Sequence, residues 1–595
     1  MSRPGRMSAP ADGQKLDAAL SRRFARYVRP YSRTLAVSLV LLFIAGALEL
    51  AGPYLTKIAI DDAIPAGDTG LLGRVVLAFF SVLVVAFAIQ YVQHLIMTRA
   101  GQGIMRDLRL ELFRHVQKMG LPWFDRNPVG RVVSRLTADV ETLNDLLTSG
   151  LVSIVADIVT LLGITAILLW MDASLALITF LVLPPLVFAS FRFRRRAREG
   201  FRDTRERVGR LNGVMQETFS GIEVVKLFGR EAANDSTFDE QNRELRTAWL
   251  GVNDAFALFF PVVQFLLAAA TALVLWQGGV RVIAESLTFG ELVAFLQYVQ
   301  RFFLPLRDLS EKYNVLQSAM ASLERIFGIL DTPAQEAEFE RRAAVRHLGG
   351  SVEFRNVSFE YADGEPVLRD VSFHVRPGER VALVGATGAG KTTVLSLLLG
   401  LYTPQSGSIL IDGRDLAGID PRSVRRRTGS VLQDVFLFSA DVEWNVRLGD
   451  DSRSGEAVRA AMVASRADRF VESLPGGMSE PLGERGRSLS VGQRQLLSFS
   501  RALAIEPDLL LLDEATSSVD SETEGWIQEA LREAMRGRTS IVVAHRLSTV
   551  RDADRILVFH RGRLTESGTH QELLRAGGIY SRLVEVQFGA QEPAA

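Results

Sequence analysis

A glycine-rich segment is the first part of the sequence that predicts a specific chemistry. It reads Gly385-Ala-Thr-Gly-Ala-Gly390-Lys391-Thr392, and it lies between the apolar run Val381–Val384 and the helix-forming run Val394–Leu399. Strand, glycine loop and helix in that order form a phosphate cradle, because glycines let backbone N–H groups approach phosphate oxygens and a helix N-terminus favours anions. We therefore expect a nucleotide site at this loop.

The side chains of this loop have separate expected roles. Gly385, Gly388 and Gly390 shape the backbone around the phosphates, and Lys391 reaches the β- and γ-phosphates. Thr392 holds Mg²⁺, and Thr393 completes the nucleotide contacts.

A second element supplies two carboxylates. The apolar run Leu509–Leu512 is followed by Asp513 and Glu514, which predicts a buried strand ending in acidic side chains. Asp513 can engage Mg²⁺, and Glu514 can polarise the attacking water. Alone, this pattern is also that of an ordinary strand terminus. With the glycine loop upstream, it indicates ATP hydrolysis.

The surrounding elements predict an α/β domain. Beyond residue 350, apolar strand-like runs, including Ile541–Ala544, alternate with helix-like segments. The stretch 332–350 is polar and rich in Ala, Glu and Arg, which is typical of a linker. We predict a polar tail at 1–20, a membrane domain at 21–331, this linker, an ATPase domain at 351–588 and a tail at 589–595.

The membrane domain follows from hydrophobic length. Hydrophobic residues make up 48% of the 595-residue chain, and mean hydropathy is +0.15. A helix of roughly 20 apolar residues spans the hydrocarbon core. Six segments qualify as candidates: 34–60, 71–97, 142–170, 173–192, 256–283 and 289–310.

Charge distribution predicts the orientation of these spans. The connections 98–141 and 193–255 are rich in Arg, whereas the other loops are short and carry little positive charge. By the positive-inside rule, both long loops and both termini are cytoplasmic. The basic N-terminus precedes an apolar run too long for a signal peptide, so we expect it to be retained.

Composition excludes other classes of chemistry. Lys plus Arg and Asp plus Glu both number 68, so the net charge is zero. The chain as a whole therefore lacks the excess of positive charge that is typical of nucleic-acid-binding proteins. The absence of Cys removes disulfides, thiolate metal sites and a cysteine-peptidase domain.

A third motif narrows the class. Leu489-Ser490-Val491-Gly492-Gln493, followed by Arg494 and Gln495, lies between the two nucleotide motifs. It closely resembles the signature motif of ATP-binding cassette (ABC) proteins. A serine hydroxyl and a small-residue backbone at a helix start form a second phosphate clamp.

That resemblance implies roles for four further residues in the expected order. Tyr361 resembles the aromatic residue that stacks on adenine, and Gln433 resembles the glutamine that senses the γ-phosphate, contributes to the Mg²⁺ site and touches the membrane domain. Asp520 resembles a residue coupling the two ATP sites. His545 resembles the switch histidine that steadies Glu514. Each residue alone has an ordinary structural interpretation, which the ordered set makes improbable.

The resemblance also implies a dimer and an exporter. In this family the signature of one subunit faces the phosphate loop of another, so Ser490, Gly492 and Gln493 would complete the partner's site. Segments 123–130, 134–139 and 221–231 resemble the cytoplasmic loops of exporters, which carry coupling helices that dock on the ATPase domains. Importers of this superfamily usually keep permease and ATPase on separate chains.

One position departs from the family pattern. Val491 stands where Gly is usual, and a β-branched residue restricts backbone conformation. In exporters that pair two different half-transporters, one ATP site is often degenerate. Val is also tolerated in fully active cassettes, so the sequence favours a heterodimer only slightly.

The sequence thus predicts an all-α six-helix transmembrane domain fused to a cytosolic α/β P-loop ATPase domain. The expected function is ATP-driven export of amphipathic drugs or lipids by alternating access, in a bacterial inner membrane. Alternatives are an ATP-gated channel or sensor and a peptide exporter. A soluble cassette ATPase for DNA repair or translation is excluded by the spans.

Polar residues within the apolar spans are candidate substrate contacts, or else interhelical ties. These are Glu49, Gln90, Gln93, Asp157, Gln264, Gln297, Gln300 and Arg301. Prolines in the spans are expected to kink their helices. These are Pro53, Pro184, Pro185, Pro261 and Pro305.

Overall fold

The computed structural model describes residues 18–361, 364–513, 521–544 and 546–588. The chain divides into two compact units. Among these residues, the membrane unit comprises those up to 113 and those from 132 to 331, and the ATPase unit comprises those from 114 to 131 and those from 332 onward.

Helices account for nearly all of residues 18–331. In chain order they are α1 (Ala18–Val28), α2 (Ser32–Ile58), α3 (Thr69–Gln117), α4 (Leu121–Arg126), α5 (Val129–Ser134), α6 (Val140–Asp145), α7 (Val152–Met171), α8 (Ala173–Phe180), α9 (Leu183–Ser220), α10 (Ile222–Leu227), α11 (Glu231–Ile283) and α12 (Phe289–Leu330). Short π-helical segments at Ala59–Ala63, Arg135–Asp139 and Leu146–Leu151 join some of them.

Five helical stretches among the described residues are long and apolar enough to cross a membrane. The predicted sixth span, 289–310, does form a helix as part of α12. It falls outside this group because Gln297, Gln300 and Arg301 lower its hydropathy. A helical transmembrane domain with several apolar helices is therefore confirmed.

Two of the predicted spans differ in detail. The segment 142–170 is α6 and α7 separated by the π segment Leu146–Leu151. The segment 173–192 is also two helices, α8 and α9. The expectation that Pro184 and Pro185 kink a helix is wrong, because they lie in the first turn of α9. Proline is tolerated there since its missing N–H would have no partner in the helix.

The membrane unit has its core where α7, α8, α9, α11 and α12 meet. Phe193 of α9 stacks on Phe259 of α11, with ring centroids 4.2 Å apart. Gly278 of α11 allows α12 to approach, since a Cβ there would lie 2.5 Å from Cδ1 of Leu292. Close packing of this kind is how apolar helices associate without a hydrophobic driving force.

The ATPase unit contains the remaining elements. Its strands are β1 (Val352–Phe359), β2 (Leu368–Val375), β3 (Arg380–Gly385), β4 (Ser406–Ile411), β5 (Arg414–Asp415), β6 (Thr428–Val431), β7 (Leu509–Asp513), β8 (Thr539–Val543), β9 (Arg555–His560) and β10 (Arg563–Gly568). Its further helices are α13 (Glu336–Phe339), α14 (Lys391–Leu398), α15 (Pro421–Arg425), α16 (Val442–Arg447), α17 (Gly455–Ala464), α18 (Asp468–Val471), α19 (Val491–Leu503), α20 (Ser521–Met535), α21 (Leu547–Arg551), α22 (His570–Ala576) and α23 (Ile579–Phe588).

These strands form two sheets. One has the order β2-β1-β4-β5 and is antiparallel. The other has the order β10-β9-β3-β8-β7-β6, in which only the edge strand β10 is antiparallel. Helices cover the parallel strands, whose residues are buried on both faces, as the apolar run Leu509–Leu512 requires. The predicted α/β ATPase fold is confirmed.

Candidate nucleotide site

The glycine loop joins β3 to α14 at the carboxyl end of a central parallel strand. Gly385, Gly388 and Gly390 all have positive φ angles. A Cβ at Gly385 would lie 2.2 Å from the carbonyl oxygen of Phe559, and one at Gly390 would lie 2.6 Å from Cδ2 of Leu368. Only glycine fits at both positions, so the loop backbone curves tightly at the start of α14.

Lys391 is the first residue of α14, and its side chain turns back over the loop. The residue is 5% exposed, and Nζ donates to the carbonyl oxygens of Gly385 at 2.7 Å and Ala386 at 3.0 Å. Burial lowers the pKa of Lys391, because a desolvated ammonium is less stable than a solvated one. An anion at this loop would offset that desolvation, which is the electrostatic basis for phosphate binding here.

Thr392 and Asp513 meet although they lie 121 positions apart. Oγ1 of Thr392 donates to Oδ2 of Asp513 at 2.7 Å. Asp513 is 3% exposed at the end of β7. A hydroxyl and a carboxylate side by side are hard oxygen donors of the kind that Mg²⁺ prefers. The donor set of this site therefore fits Mg²⁺ beside the phosphate loop.

Tyr361 lies close to the glycine loop. Its Oη donates to Oγ1 of Thr393 at 3.0 Å. Its ring packs edge-on against Phe359 and Tyr402, at centroid distances of 4.9 Å and 5.0 Å. Since 42% of Tyr361 is exposed, part of the side chain stays open to a ligand.

Gln433 is exposed on the loop that follows β6. Strand β6 pairs in parallel with β7, with Val431 opposite Leu512, so Gln433 follows β6 at the sheet edge where Asp513 ends β7. Three predicted functional residues, Glu514, Asp520 and His545, lie outside the described residues.

The signature segment begins α19. Ser490 is its N-cap and forms a capping box with Gln493, while Gly492 is buried within the first turn. Ser490 itself is exposed. Helix α19 packs in a core with α17, α20 and β7, whereas α14 packs in a separate core with β1, β2 and β4. The signature and the phosphate loop thus belong to different cores of one ATPase unit.

The sequence reasoning missed one residue in this region. Tyr402 packs against Tyr361, and its Oη donates to Oδ2 of Asp125 on α4 at 2.9 Å. Helix α4 belongs to the predicted first cytoplasmic loop, yet it lies within the ATPase unit. A lone Tyr after α14 carries no local signal, so only the fold reveals this contact.

The polar residues of the spans separate into distinct environments. Oε1 of Glu49 accepts a 2.6 Å hydrogen bond from Nε2 of Gln90, and Gln93 donates to Ser38 in a buried pair. Asp157 forms an ion pair with Lys312. Arg301 donates to the backbone oxygen of Glu49. The structure brings Glu49, Gln90 and Gln93 together around one cavity of the membrane unit.

Comparison with known proteins identifies the family of both units. The model of the ABC transporter transmembrane region matches residues 35–306, and the ABC transporter model matches residues 368–517. The uncharacterized ABC transporter ATP-binding protein YknV of Bacillus subtilis is 37% identical over 568 residues, covering 95% of this chain and 94% of that protein. The ATP-dependent lipid A-core flippase of Syntrophus aciditrophicus is 35% identical over 575 residues, covering 97% of this chain and 95% of the flippase.

A solved structure has the same architecture along the chain. It is a bacterial Atm1-family ABC exporter with ATP bound, with a TM-score of 0.75 and 29% identity, covering 95% of this chain and 99% of the exporter chain.

A phosphate-binding α/β ATPase fused to a helical transmembrane domain defines an ATP-driven membrane transporter subunit. The chain belongs to the ABC transporter family and is an exporter half-transporter. It hydrolyses ATP to drive export and works as a dimer. It is a multi-pass membrane protein.

Proposed function

We propose that the chain hydrolyses Mg²⁺-ATP at sites completed by a second subunit and uses the energy to export amphipathic lipids or drugs. The observation that carries the nucleotide part is the 2.7 Å bond between Thr392 and Asp513 beside the buried Lys391. Phosphate-binding and metal-binding groups converge there, at the carboxyl edge of a parallel sheet, where α/β proteins bind nucleotides.

Each side chain of the site has a proposed role. Lys391 binds the β- and γ-phosphates, and Thr392, Asp513 and Gln433 hold Mg²⁺, which when bound would neutralise phosphate charge. Tyr361 stacks on the base. Glu514 orients and polarises the attacking water, and His545 steadies Glu514. Asp520 couples the two ATP sites.

The exposed signature helix supports a site shared between subunits. Ser490 is the N-cap of α19, and this helix packs in the core that does not contain the phosphate loop. Its hydroxyl and the N–H groups of the first turn of α19 can clamp a phosphate held by the partner. ATP binding then closes the two ATPase domains, because each nucleotide is fully contacted only when they meet.

Exposed apolar surfaces on each unit support the same assembly. The tip of the second long loop, around α10, exposes the large apolar side chains Phe219, Ile222, Val224, Leu227 and Phe228. The ATPase unit exposes Phe436, Phe438 and Trp444, and the ring of Phe438 contacts the other two. Apolar patches of this kind mark protein interfaces. We infer that the second subunit covers both.

Val491 bears on whether the second subunit is a copy of this chain or a different half-transporter. Val491 is the first residue of α19, and its side chain is exposed. The helix conformation accommodates valine at small cost. The structure thus weakens the reason for preferring a heterodimer, although a different second half-transporter is still compatible with every contact described. The particle mass of the isolated chain distinguishes the two assemblies.

Charge supports the proposed orientation in a bacterial inner membrane. Exposed Arg192, Arg195, Arg196 and Arg198 follow the apolar first part of α9 directly. Such clusters stay on the cytoplasmic side and meet anionic headgroups. Both termini and both long loops are then cytoplasmic, on the side where ATP is available.

The names of related proteins support an amphipathic cargo. One is a lipid A-core flippase, one is a fatty acid ABC transporter of Mycobacterium bovis, 40% identical over 482 residues, and one is a putative multidrug export protein of Bacillus subtilis. Lipids, fatty acids and drugs share an apolar body with a polar group. An alternating-access cycle would turn an inward-facing cavity outward on ATP binding and reset it after hydrolysis.

The first experiment is a measurement of Mg²⁺-ATP hydrolysis and particle mass on the purified chain in nanodiscs. A dimer of this chain that hydrolyses ATP establishes a homodimer, whereas an inactive monomer points to a second half-transporter. In Glu514→Gln we expect hydrolysis to fall by at least about a hundredfold while ATP stays bound, since the water-activating carboxylate is lost. Wild-type turnover in a homodimer of Glu514→Gln would refute the assignment.

A further inference from the structure

A cavity of about 530 Å³ lies between α2, α3 and α7 in the membrane unit. Each helix contributes one face, because the lining positions follow the spacing i, i+3, i+4. On α2 these include Leu42 and Glu49, and on α3 they include Phe87, Gln90 and His94. Its volume is in the range of pockets that hold drug-sized molecules.

The walls of this cavity are mainly apolar, and one carboxylate enters it. Glu49 lies in the middle of α2, in the sequence Ala-Leu-Glu-Leu-Ala. Acidic side chains within membrane spans are unfavourable unless they serve a partner or a pathway. Among the described residues, the Glu49 carboxylate accepts a 2.6 Å hydrogen bond from Nε2 of Gln90, which leaves acceptor capacity on the carboxylate.

A basic residue of α12 reaches the backbone of Glu49 but does not pair with its carboxylate. Arg301 of α12 donates to the backbone carbonyl oxygen of Glu49 instead. No ion pair joins Glu49 to another side chain among the described residues. An ionised Glu49 therefore presents negative charge to the cavity.

A neighbouring pair of residues joins the same two helices but is much less exposed. Gln93 of α3 donates to Ser38 of α2 at 3.0 Å, and the two residues are 8% and 2% exposed. Glu49 and Gln90 are instead both exposed in the isolated chain. Glu49 and Gln90 are therefore more accessible to a ligand than the buried pair.

From this geometry we infer that the cavity binds an amphipathic molecule that carries a positive charge. The cationic group lies against the Glu49 carboxylate, and the apolar body lies against Leu42, Phe87 and Val159. Gln90 holds the carboxylate in place without removing its charge. This inference rests on the proposed export of amphipathic compounds and specifies their charge.

The test uses two probes of nearly equal size and opposite charge, tetraphenylphosphonium and tetraphenylborate. Binding of each labelled ion to the purified dimer in neutral detergent is measured by equilibrium dialysis against protein-free micelles. We expect the wild type to bind the cation at least about tenfold more tightly than the anion, and Glu49→Gln to lose that preference, as is typical when a charged hydrogen-bonding partner is removed. Glu49→Gln is nearly isosteric and keeps a hydrogen-bonding group beside Gln90.

Two matched variants separate charge from helix association. Gln90→Leu removes the hydrogen bond but keeps the carboxylate, so cation affinity should stay within about threefold. Ser38→Ala breaks the buried tie between the same helices and should leave both affinities unchanged. Equal affinity of wild type and Glu49→Gln for the cation, or equal binding of both ions by the wild type, would overturn the inference.

The binding measurement needs no ATP hydrolysis, so it is independent of the proposed transport cycle. Basal Mg²⁺-ATPase activity is measured on the same samples. In a dimer of this chain, charge-selective binding without hydrolysis would contradict the proposed function alone, and hydrolysis without charge-selective binding would contradict the cavity assignment alone. If Glu49→Gln does not fold, the wild type still tests the inference, because equal binding of the two ions by the wild type would overturn it.

Discussion

The phenolic Oη of Tyr402 donates a 2.9 Å hydrogen bond to Oδ2 of Asp125, a residue 277 positions earlier in the chain. Tyr402 also packs edge-on against Tyr361, whose Oη reaches Thr393 in the helix that follows the glycine loop. Burial, and then the hydrogen bond to Asp125, raise the pKa of Tyr402. The phenol therefore remains a hydrogen-bond donor throughout the neutral pH range.

We expect Tyr402→Phe to reduce transport per ATP hydrolysed, because it releases α4 from the ATPase unit while leaving the nucleotide contacts. The free energy of unfolding of the ATPase unit should fall by about 1.5 kcal/mol, as is typical for the loss of a hydrogen bond to a charged group. Substrate uptake into inverted vesicles and ATP hydrolysis are measured together. Asp125→Asn should lower the same ratio, and an unchanged ratio in both variants would argue against a coupling role.

The buried Lys391 leads to a second prediction. Lys391→Met should weaken ATP binding at least about tenfold, because the ammonium aimed into the loop is lost. Binding of a fluorescent ATP analogue measures this affinity. Lys118→Met removes an exposed lysine of the same unit and should bind ATP like the wild type. Equal binding by Lys391→Met and Lys118→Met would contradict the phosphate role.

The pairing of Thr392 with Asp513 predicts a requirement for Mg²⁺. Removing Mg²⁺ with a chelator should abolish hydrolysis while ATP still binds to the loop, because the carboxylate and hydroxyl need the ion to engage the phosphates. Thr392→Val should lower hydrolysis by about a hundredfold, and Thr392→Ser, which keeps the hydroxyl, should restore most of it. Full activity in Thr392→Val would exclude the hydroxyl as a ligand.

The exposed apolar tip around α10 gives a fourth prediction. Val224→Asp should uncouple ATP hydrolysis from transport or weaken the dimer, since a charge would be desolvated where the second subunit covers the patch. Val463→Asp, at a similarly exposed valine of α17, serves as the control. Mass photometry and transport assays report the two effects. Identical behaviour of both variants would show that the α10 tip is not an interface.

The start of the signature helix gives a fifth prediction. Val491→Gly should change hydrolysis by less than about threefold, because Val491 is exposed at the first position of α19 and α19 forms with valine present. The measurement is the steady-state ATPase activity of the wild type and of Val491→Gly. A gain of tenfold or more in Val491→Gly would mean that Val491 weakens the shared site, which would favour pairing with a different half-transporter.

The sequence by itself determined the nucleotide loop and the general fold. The glycine loop is a local structure, in which positive φ angles at Gly385, Gly388 and Gly390 are required within a few residues of strand and helix. Long apolar segments are also a local signal, because each one alone must match the thickness of the membrane. Both could therefore be predicted without knowing what each element contacts.

Only the tertiary structure decided which distant residues meet. The bonds between Thr392 and Asp513, between Tyr402 and Asp125, and between Glu49 and Gln90 join positions 121, 277 and 41 apart. It also showed that Pro184 and Pro185 begin a helix instead of kinking one. Contacts of this kind depend on how separate elements pack, and packing is a property of the folded chain that no local pattern of residue types specifies.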